Sequence, residues 1–213
     1  MVFNLFRRGS GPVTENPKAS PRASRRSSGL AEFSKLMVSQ QGMTILDLGP
    51  TSPQNIRLIT GLEHRIYNED VLLSSLEPQW ARKGEDGAPT VDVAGFFAEN
   101  LNYPPRHFDA VLCWDVPDYL HEPLVKPLVE RMASIIKPGG TLLAFFHTRD
   151  AGSEAPYYRY HIAGNDSLEL QRGPQFRLQR VFNNRHIENL FTEFSNIKFF
   201  LARDNVREVL VVR

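Results

Sequence analysis

The chain has 213 residues, 25 Lys plus Arg against 24 Asp plus Glu, 41% apolar residues and one cysteine, the composition expected of a soluble one-domain protein. One cysteine excludes an internal disulfide and makes a reducing, cytoplasmic setting the expectation. With a mean hydropathy of −0.32, no stretch approaches the ~20 apolar residues that span a bilayer. Val2-Phe3-Asn4-Leu5-Phe6 precedes Arg7-Arg8, the reverse of the order in a secretory signal, which argues against export.

The near-neutral total conceals a segregation. Residues 1–28 hold six basic residues against Glu15, a net of +5, and the rest of the chain balances to −4. Gly9 to Ser28 is mostly Ser, Pro, Gly, Ala and Arg, with too little to bury to repay ordering entropy. Residues 1–28 are therefore expected to be a disordered basic tail, and 29–213 the folded domain. The tail is either a solvated leader or, through Val2, Phe3, Leu5, Phe6 and its arginines, a contact for nucleic acid or an anionic membrane.

Leu30, Phe33, Leu36 and Met37 share one helical face. Thr44-Ile45-Leu46-Asp47-Leu48 is a short apolar strand ending at Gly49-Pro50, Asn55 to Leu62 supplies a helix, and Arg65-Ile66-Tyr67 is a second strand ending at Asn68-Glu69-Asp70. Strand, turn, helix and strand within about 30 residues is the unit of an α/β domain. Val91, Val93, Phe96 and Phe97 point to a third strand nearby. Phe108 to Cys113 reads as a strand buried on both faces, followed by Trp114-Asp115. Leu124, Leu128, Met132 and Ile135 mark a helix stopped by Lys137-Pro138-Gly139-Gly140, and Thr141 to Phe146 is another buried strand. Tyr157 to Phe182 reads as irregular or hairpin structure, and Asn184 to Phe194 as a helix. Ile197 to Ala202 and Val206 to Arg213, joined at Asp204-Asn205, are expected to pair antiparallel.

This order of pieces resembles the class I S-adenosylmethionine-dependent methyltransferases over roughly residues 30–213. The resemblance rests on Ile45-Leu46-Asp47-Leu48-Gly49, Tyr67-Asn68-Glu69-Asp70, Phe108 to Asp115, and Ile136-Lys137-Pro138-Gly139-Gly140-Thr141-Leu142-Leu143. It implies a Rossmann-like fold: a seven-stranded, mostly parallel sheet with a C-terminal antiparallel hairpin and helices on both faces. It also implies a cofactor, S-adenosyl-L-methionine, over the carboxyl ends of the first, second and fourth strands. Ligands of open α/β sheets bind at that edge on general grounds.

At that edge Gly49 permits close backbone approach to a nucleoside, and an acid about 20 residues on, at the end of the second strand, accepts bonds from ribose hydroxyls. Glu69 is favoured and Asp70 is second, since adjacent strand side chains point oppositely. Relatives carry Gly-x-Gly-x-Gly, whereas Gly49-Pro50-Thr51-Ser52-Pro53 keeps only the first glycine, and Pro50 and Pro53 remove two amide donors. That loss argues against a dinucleotide, while Thr51 and Ser52 can still line the amino-acid end of a phosphate-free cofactor. Glu99 stands near where relatives contact adenine. Asp47 either orients the glycine turn and the cofactor's ammonium or makes a structural hydrogen bond. Trp114 either walls the cavity or packs the core. Asp115 and His147 are the catalytic candidates, each weighed against a solvated or structural role, and Tyr157 to Tyr160 is either a lid or packing. The histidines and the lone cysteine lack metal-ligand spacing, so no metal is expected. The leading reading is methyl transfer to a small-molecule acceptor by in-line displacement, which depends on alignment more than on acid–base groups. The alternative is a non-catalytic binding or scaffold protein on the same fold.

Overall fold

The computed structural model describes residues 22–85, 87–149, 155–201 and 204–213. In chain order the elements are β1 (Arg22–Arg26), α1 (Ser28–Ser39), β2 (Thr44–Asp47), α2 (Pro53–Gly61), β3 (Arg65–Asn68), α3 (Val71–Ser75), a single tight turn at Pro78–Trp80, β4 (Ala81–Lys83), β5 (Pro89–Val91) and α4 (Val93–Glu99). There follow β6 (Phe108–Trp114), α5 (Val116–Tyr119), α6 (Glu122–Ile135), β7 (Ile136–His147), β8 (Ala155–Gly164), β9 (Ser167–Phe176), α7 (Asn184–Leu190), β10 (Asn196–Leu201) and β11 (Val206–Val212).

The central sheet has the order β10-β11-β7-β6-β2-β3. β7, β6, β2 and β3 run parallel, β11 is antiparallel to β7, and β10 is antiparallel to β11. The sheet is mixed and, among the described residues, has six strands where seven were expected. The strand sought near Val91 is β5, which pairs with β4 in a separate two-stranded unit because the polar stretch between them folds the segment back on itself. β1, β9 and β8 form a third, antiparallel sheet.

Alternation along the buried strands divides the core between the two faces of the central sheet. Leu46, Val111, Cys113, Leu142, Ala144 and Phe146 pack with α6 and α7 through Leu124, Leu128, Met132, Ile187 and Phe191. Ile45, Ala110, Leu112, Trp114, Leu143 and Phe145 pack with Leu30, Phe33 and Met37 of α1 and with Tyr160, Ile162 and Leu168 of the β8–β9 unit. Serine or acid side chains cap α1 to α4: Ser27 accepts from the Leu30 amide, Ser52 from Asn55, Asp70 from Leu73 and Asp92 from Gly95. α6 gives way to β7 at the expected Lys137 to Gly140 stop. There Gly139 adopts φ +78°, and a Cβ on Gly140 would lie 2.9 Å from the Asp109 carbonyl oxygen. Glycine lets the two parallel strands close at this point.

The tail boundary expected at residue 28 is corrected. Residues 1–21, including the proposed membrane- or nucleic-acid-contacting segment, lie outside the described residues, but from Arg22 the chain is strand and then helix. Composition misled because little of β1's order comes from its own apolar content. Its backbone pairs with β9 from Arg22 opposite Gln171 to Arg26 opposite Ser167. Arg25 is buried against the Phe145 ring at 5.0 Å and donates through Nη2 to Glu208 Oε1 at 2.6 Å. Glu208, itself 1% exposed, also accepts from Ser27 Oγ at 3.0 Å and from the Gly29 amide at 2.6 Å. Removing one member of such a pair strands a buried charge. Glu208→Ala is expected to lower the unfolding free energy by about 3–5 kcal/mol in urea titration and to open Arg22, Arg25 and Arg26 to trypsin. Wild-type stability and protection would show that the pair does not hold this segment.

Candidate functional site

β2, β3 and β6 all end on one edge, and the Asp47 carboxylate is the centre of what lies there. It is 1% exposed. Its Oδ1 accepts from Trp114 Nε1 at 2.7 Å and from the Gly49 amide at 3.3 Å, and its Oδ2 accepts from Asn55 Nδ2 at 3.0 Å. Burial pushes its pKa up to about 6, against the pull of these three donors. The Trp114 indole covers Gly49: a Cβ there would meet Trp114 Cδ1 at 2.9 Å. Tyr160 of β8 stacks on the indole at 4.9 Å and 7°. Trp114 adopts φ +49°, a left-handed backbone costly for so bulky a residue and the kind of strain that gathers at functional sites.

The glycine turn is also tied to β8. Asn55 donates through Nδ2 to the Tyr160 carbonyl at 3.0 Å and accepts through Oδ1 from the Ile162 amide at 2.8 Å. Gln54 Nε2 reaches the Ile162 carbonyl at 3.0 Å, and Ser52 Oγ lies 2.8 Å from His161 Nδ1. Pro50 is half-buried and Thr51 is exposed, so of the expected loop donors it is Ser52 that the structure engages.

Glu69 follows β3 and accepts from the Leu101 amide at 3.0 Å, while its own amide donates to the Asp47 carbonyl at 3.0 Å. Asp70 is half-buried, caps α3 and lies 3.4 Å from Tyr157 Oη; burial raises its pKa. The two acids thus part: the Glu69 carboxylate bonds the Leu101 amide, and Asp70 caps α3. Glu99 ends α4 exposed and is not brought to Asp47, Glu69 or Trp114 by any contact among the described residues.

Beyond Trp114, Asp115 is fully buried. Its Oδ2 accepts from Tyr160 Oη at 2.9 Å, and no other described residue donates to its Oδ1. Burial raises its pKa, opposed by the charge of His147 and the tyrosine bond. His147, at the end of β7, is held by Asp118 of α5. Asp118 Oδ2 accepts from the His147 amide at 2.6 Å and lies 2.8 Å from Nδ1. Asp118 is buried, its Oδ1 is unpartnered among the described residues, and burial raises its pKa to about 6. For His147 burial acts to lower the pKa, but the Asp118 bond and the charges of Asp115 and Asp118 outweigh it and the net direction is up. Tyr119 sets its ring edge-on to the imidazole, with centroids 5.9 Å apart.

A family model described as a methyltransferase domain matches residues 22–198. The chain belongs to this methyltransferase-domain family. The match runs from the start of β1 into β10. No curated protein matches the sequence. Among solved structures, this methyltransferase domain is similar to 1,6-didemethyltoxoflavin-N1-methyltransferase of Burkholderia thailandensis, solved with 1,6-didemethyltoxoflavin and S-adenosylhomocysteine bound. The TM-score is 0.50 at 12% identity, over 88% of this chain and 79% of that one. It is also similar to a Pyrococcus horikoshii protein, with a TM-score of 0.51 at 14% identity, over 86% and 88% of the two chains. These likenesses show the fold: an α/β methyltransferase domain with a mixed central sheet.

Asn55 and Asp118 escaped the sequence reading. Asn55 was taken as the start of a helix and Asp118 lies three residues past Asp115, so their only sequence signal was nearness to residues already singled out. Among the described residues no three His, Cys, Asp or Glu side chains group so as to hold a metal, and no helix is long and apolar enough to cross a membrane.

The Asp47 shift carries a sign. Its folded pKa stands above the ordinary 3.8, so the folded state binds the extra proton, and stability from this group is full below that value and lost as pH rises to about 6. A shift of about two units corresponds to about 3 kcal/mol. Relative to wild type, Asp47→Asn is expected to flatten the fall in unfolding free energy across that window in urea titrations at stepped pH. Identical pH profiles for the two proteins would contradict the buried-carboxylate account.

Proposed function

We propose that this methyltransferase domain binds S-adenosyl-L-methionine at the Asp47–Glu69–Asp115 edge and transfers its methyl group to a small-molecule acceptor, with the edge closed in the form described above. The observation that carries this is the fully buried Asp115 Oδ1, to which no other described residue donates. A buried carboxylate oxygen without a donor is expensive, and the ligand the family implies is a cation. Asp47, Glu69, Asp70, Asp115 and Asp118 supply negative charge on this edge, and Trp114, Tyr157 and Tyr160 supply aromatic faces that favour a sulfonium. The donor set therefore fits the cofactor.

Glu69 would hold the ribose hydroxyls, Asp47 and Asp115 the charged amino-acid end, and Gly49 would give room once the indole moves. The cofactor supplies an electrophilic methyl carbon on sulfur. The protein's part is to align the acceptor and keep water out, the kind of positioning that lowers barriers by about 7–11 kcal/mol. Tyr160 is the hinge of access: its ring stacks on Trp114, its hydroxyl holds Asp115 and its carbonyl holds Asn55. A small acceptor accords with the Burkholderia enzyme, which holds 1,6-didemethyltoxoflavin.

One observation favours a second reading, a non-catalytic family member. The space spared by Gly49 is filled by the protein's own indole, which completes the Asp47 bonds without any ligand. Calorimetry with S-adenosylhomocysteine separates the two. Wild type is expected to bind it, and Glu69→Ala to bind it at least tenfold more weakly. Tyr160→Phe, which removes a hydrogen bond to a charged group worth about 1.5–3 kcal/mol, is expected to bind it roughly tenfold or more tighter by easing opening. Absence of binding at millimolar ligand in both wild type and Tyr160→Phe would overturn the enzyme reading in favour of the second.

A further inference from the structure

We infer that His147 and Asp118 form a proton-accepting pair, and hence that the acceptor is a protic nucleophile, an O–H or N–H group, rather than one with no proton to lose, such as a thioether or tertiary amine. The inference rests on the methyltransferase reading above and adds the acceptor's chemical class.

The geometry is that of a base held by an orienting carboxylate. Asp118 takes both the backbone amide and Nδ1 of His147 on the same oxygen, Oδ2, at 2.6 and 2.8 Å. That contact fixes the ring's rotation and places the proton on Nδ1, which leaves Nε2 as the lone-pair nitrogen. Nε2 makes no hydrogen bond among the described residues, and the His147 side chain keeps 16% exposure while Asp118 keeps none. The carboxylate is itself held in place, because the Asp118 carbonyl accepts from the Gln179 amide at 2.8 Å and so anchors α5 to the segment before α7.

The charged and titratable groups facing the imidazole come from four elements: Asp118 and Tyr119 from α5, Asp115 from the end of β6, Arg25 from β1, and, through Asp115, Tyr160 from β8. Asp115 and Asp118 favour the imidazolium, and Arg25 opposes it. Such a setting raises the basicity of a histidine that has one nitrogen free. It has no use in transfer to a nucleophile that carries no proton. In the step assigned to it, the acceptor's O–H or N–H bond breaks and the proton passes to Nε2. The freed pair on oxygen or nitrogen forms the bond to the methyl carbon, the carbon–sulfur pair stays with sulfur, and the imidazolium then releases its proton to water.

Diethylpyrocarbonate, which acylates neutral imidazole nitrogen, tests the pair in the full chain without turnover, with mass spectrometry reading His147. Wild type is expected to be modified at His147 with a pH inflection above 6.5, and Asp118→Asn to bring that inflection down by about one unit or more. An unmodified His147, or an inflection indifferent to Asp118→Asn, would overturn the pair. In turnover with S-adenosylmethionine as donor, 4-nitrophenol as O–H probe, benzimidazole as N–H probe and dimethyl sulfide as proton-free probe, transfer is expected to the first two classes only. His147→Gln is expected to lower kcat by about 10²-fold or more while S-adenosylhomocysteine binding stays at the wild-type level. Transfer to dimethyl sulfide alone, or wild-type kcat in His147→Gln, would also overturn it; where no probe is methylated, the modification arm decides. Loss of S-adenosylhomocysteine binding in wild type, by contrast, sinks the underlying methyltransferase reading.

Discussion

One buried carboxylate holds together the edge at the ends of β2, β3 and β6, where the cofactor site is proposed. Asp47 sits at the end of a strand with apolar neighbours on both sides, where an isolated charge would be costly. The fold answers by aiming three donors at it from three places: the indole after β6, the amide of the glycine turn and the amide side chain of α2. Because Asn55 also bonds both ways with β8, satisfying Asp47 fixes the position of the β1–β9–β8 sheet over the edge. The Trp114 rotamer, the stack with Tyr160 and the Tyr160–Asp115 bond all follow from that arrangement.

The same arrangement has two opposed consequences. It hides the glycine turn beneath aromatic rings, and it leaves two carboxylate oxygens, Asp115 Oδ1 and Asp118 Oδ1, buried with no donor from another described residue. A fold whose only task was stability would be expected to satisfy them. The stack is worth about 0.5–1.5 kcal/mol beyond its burial, and every 1.4 kcal/mol or so spent on opening weakens a ligand's apparent affinity about tenfold. The unpartnered oxygens act in the other direction, since a cation that reaches them regains what burial took away. On the proposed reading closure and cofactor binding oppose each other at this edge, and the backbone strain at Trp114 lies at the point where they would compete.

Local pattern was enough to read the parallel strands, because β2, β6 and β7 are buried on both faces and show as continuous apolar runs. It also marked one edge of the sheet, because Gly49, Glu69 and Trp114-Asp115 lie at or just beyond the ends of β2, β3 and β6. It could not read β1, whose order comes from a ladder with β9 and from Glu208, 183 residues beyond Arg25. The Asn55 latch to β8 spans more than a hundred residues and left no periodic trace. Asp118 looked like any acid in a post-strand turn until the fold brought His147 to it. Spacing marks Gly49 as a place where a nucleoside approaches closely; what approaches in this form is the protein's own indole, a distinction invisible to spacing.

The central claim is that the aromatic cover over Gly49 is a closed state of a cofactor site. A crystal structure grown with S-adenosylhomocysteine tests it most directly. The account requires the ligand's ribose at Glu69, the Trp114 indole moved off Gly49, and the Tyr160–Asp115 bond exchanged for a contact to the ligand. An indole still packed on Gly49 and stacked on Tyr160, with no ligand at the ends of β2, β3 and β6, would contradict it.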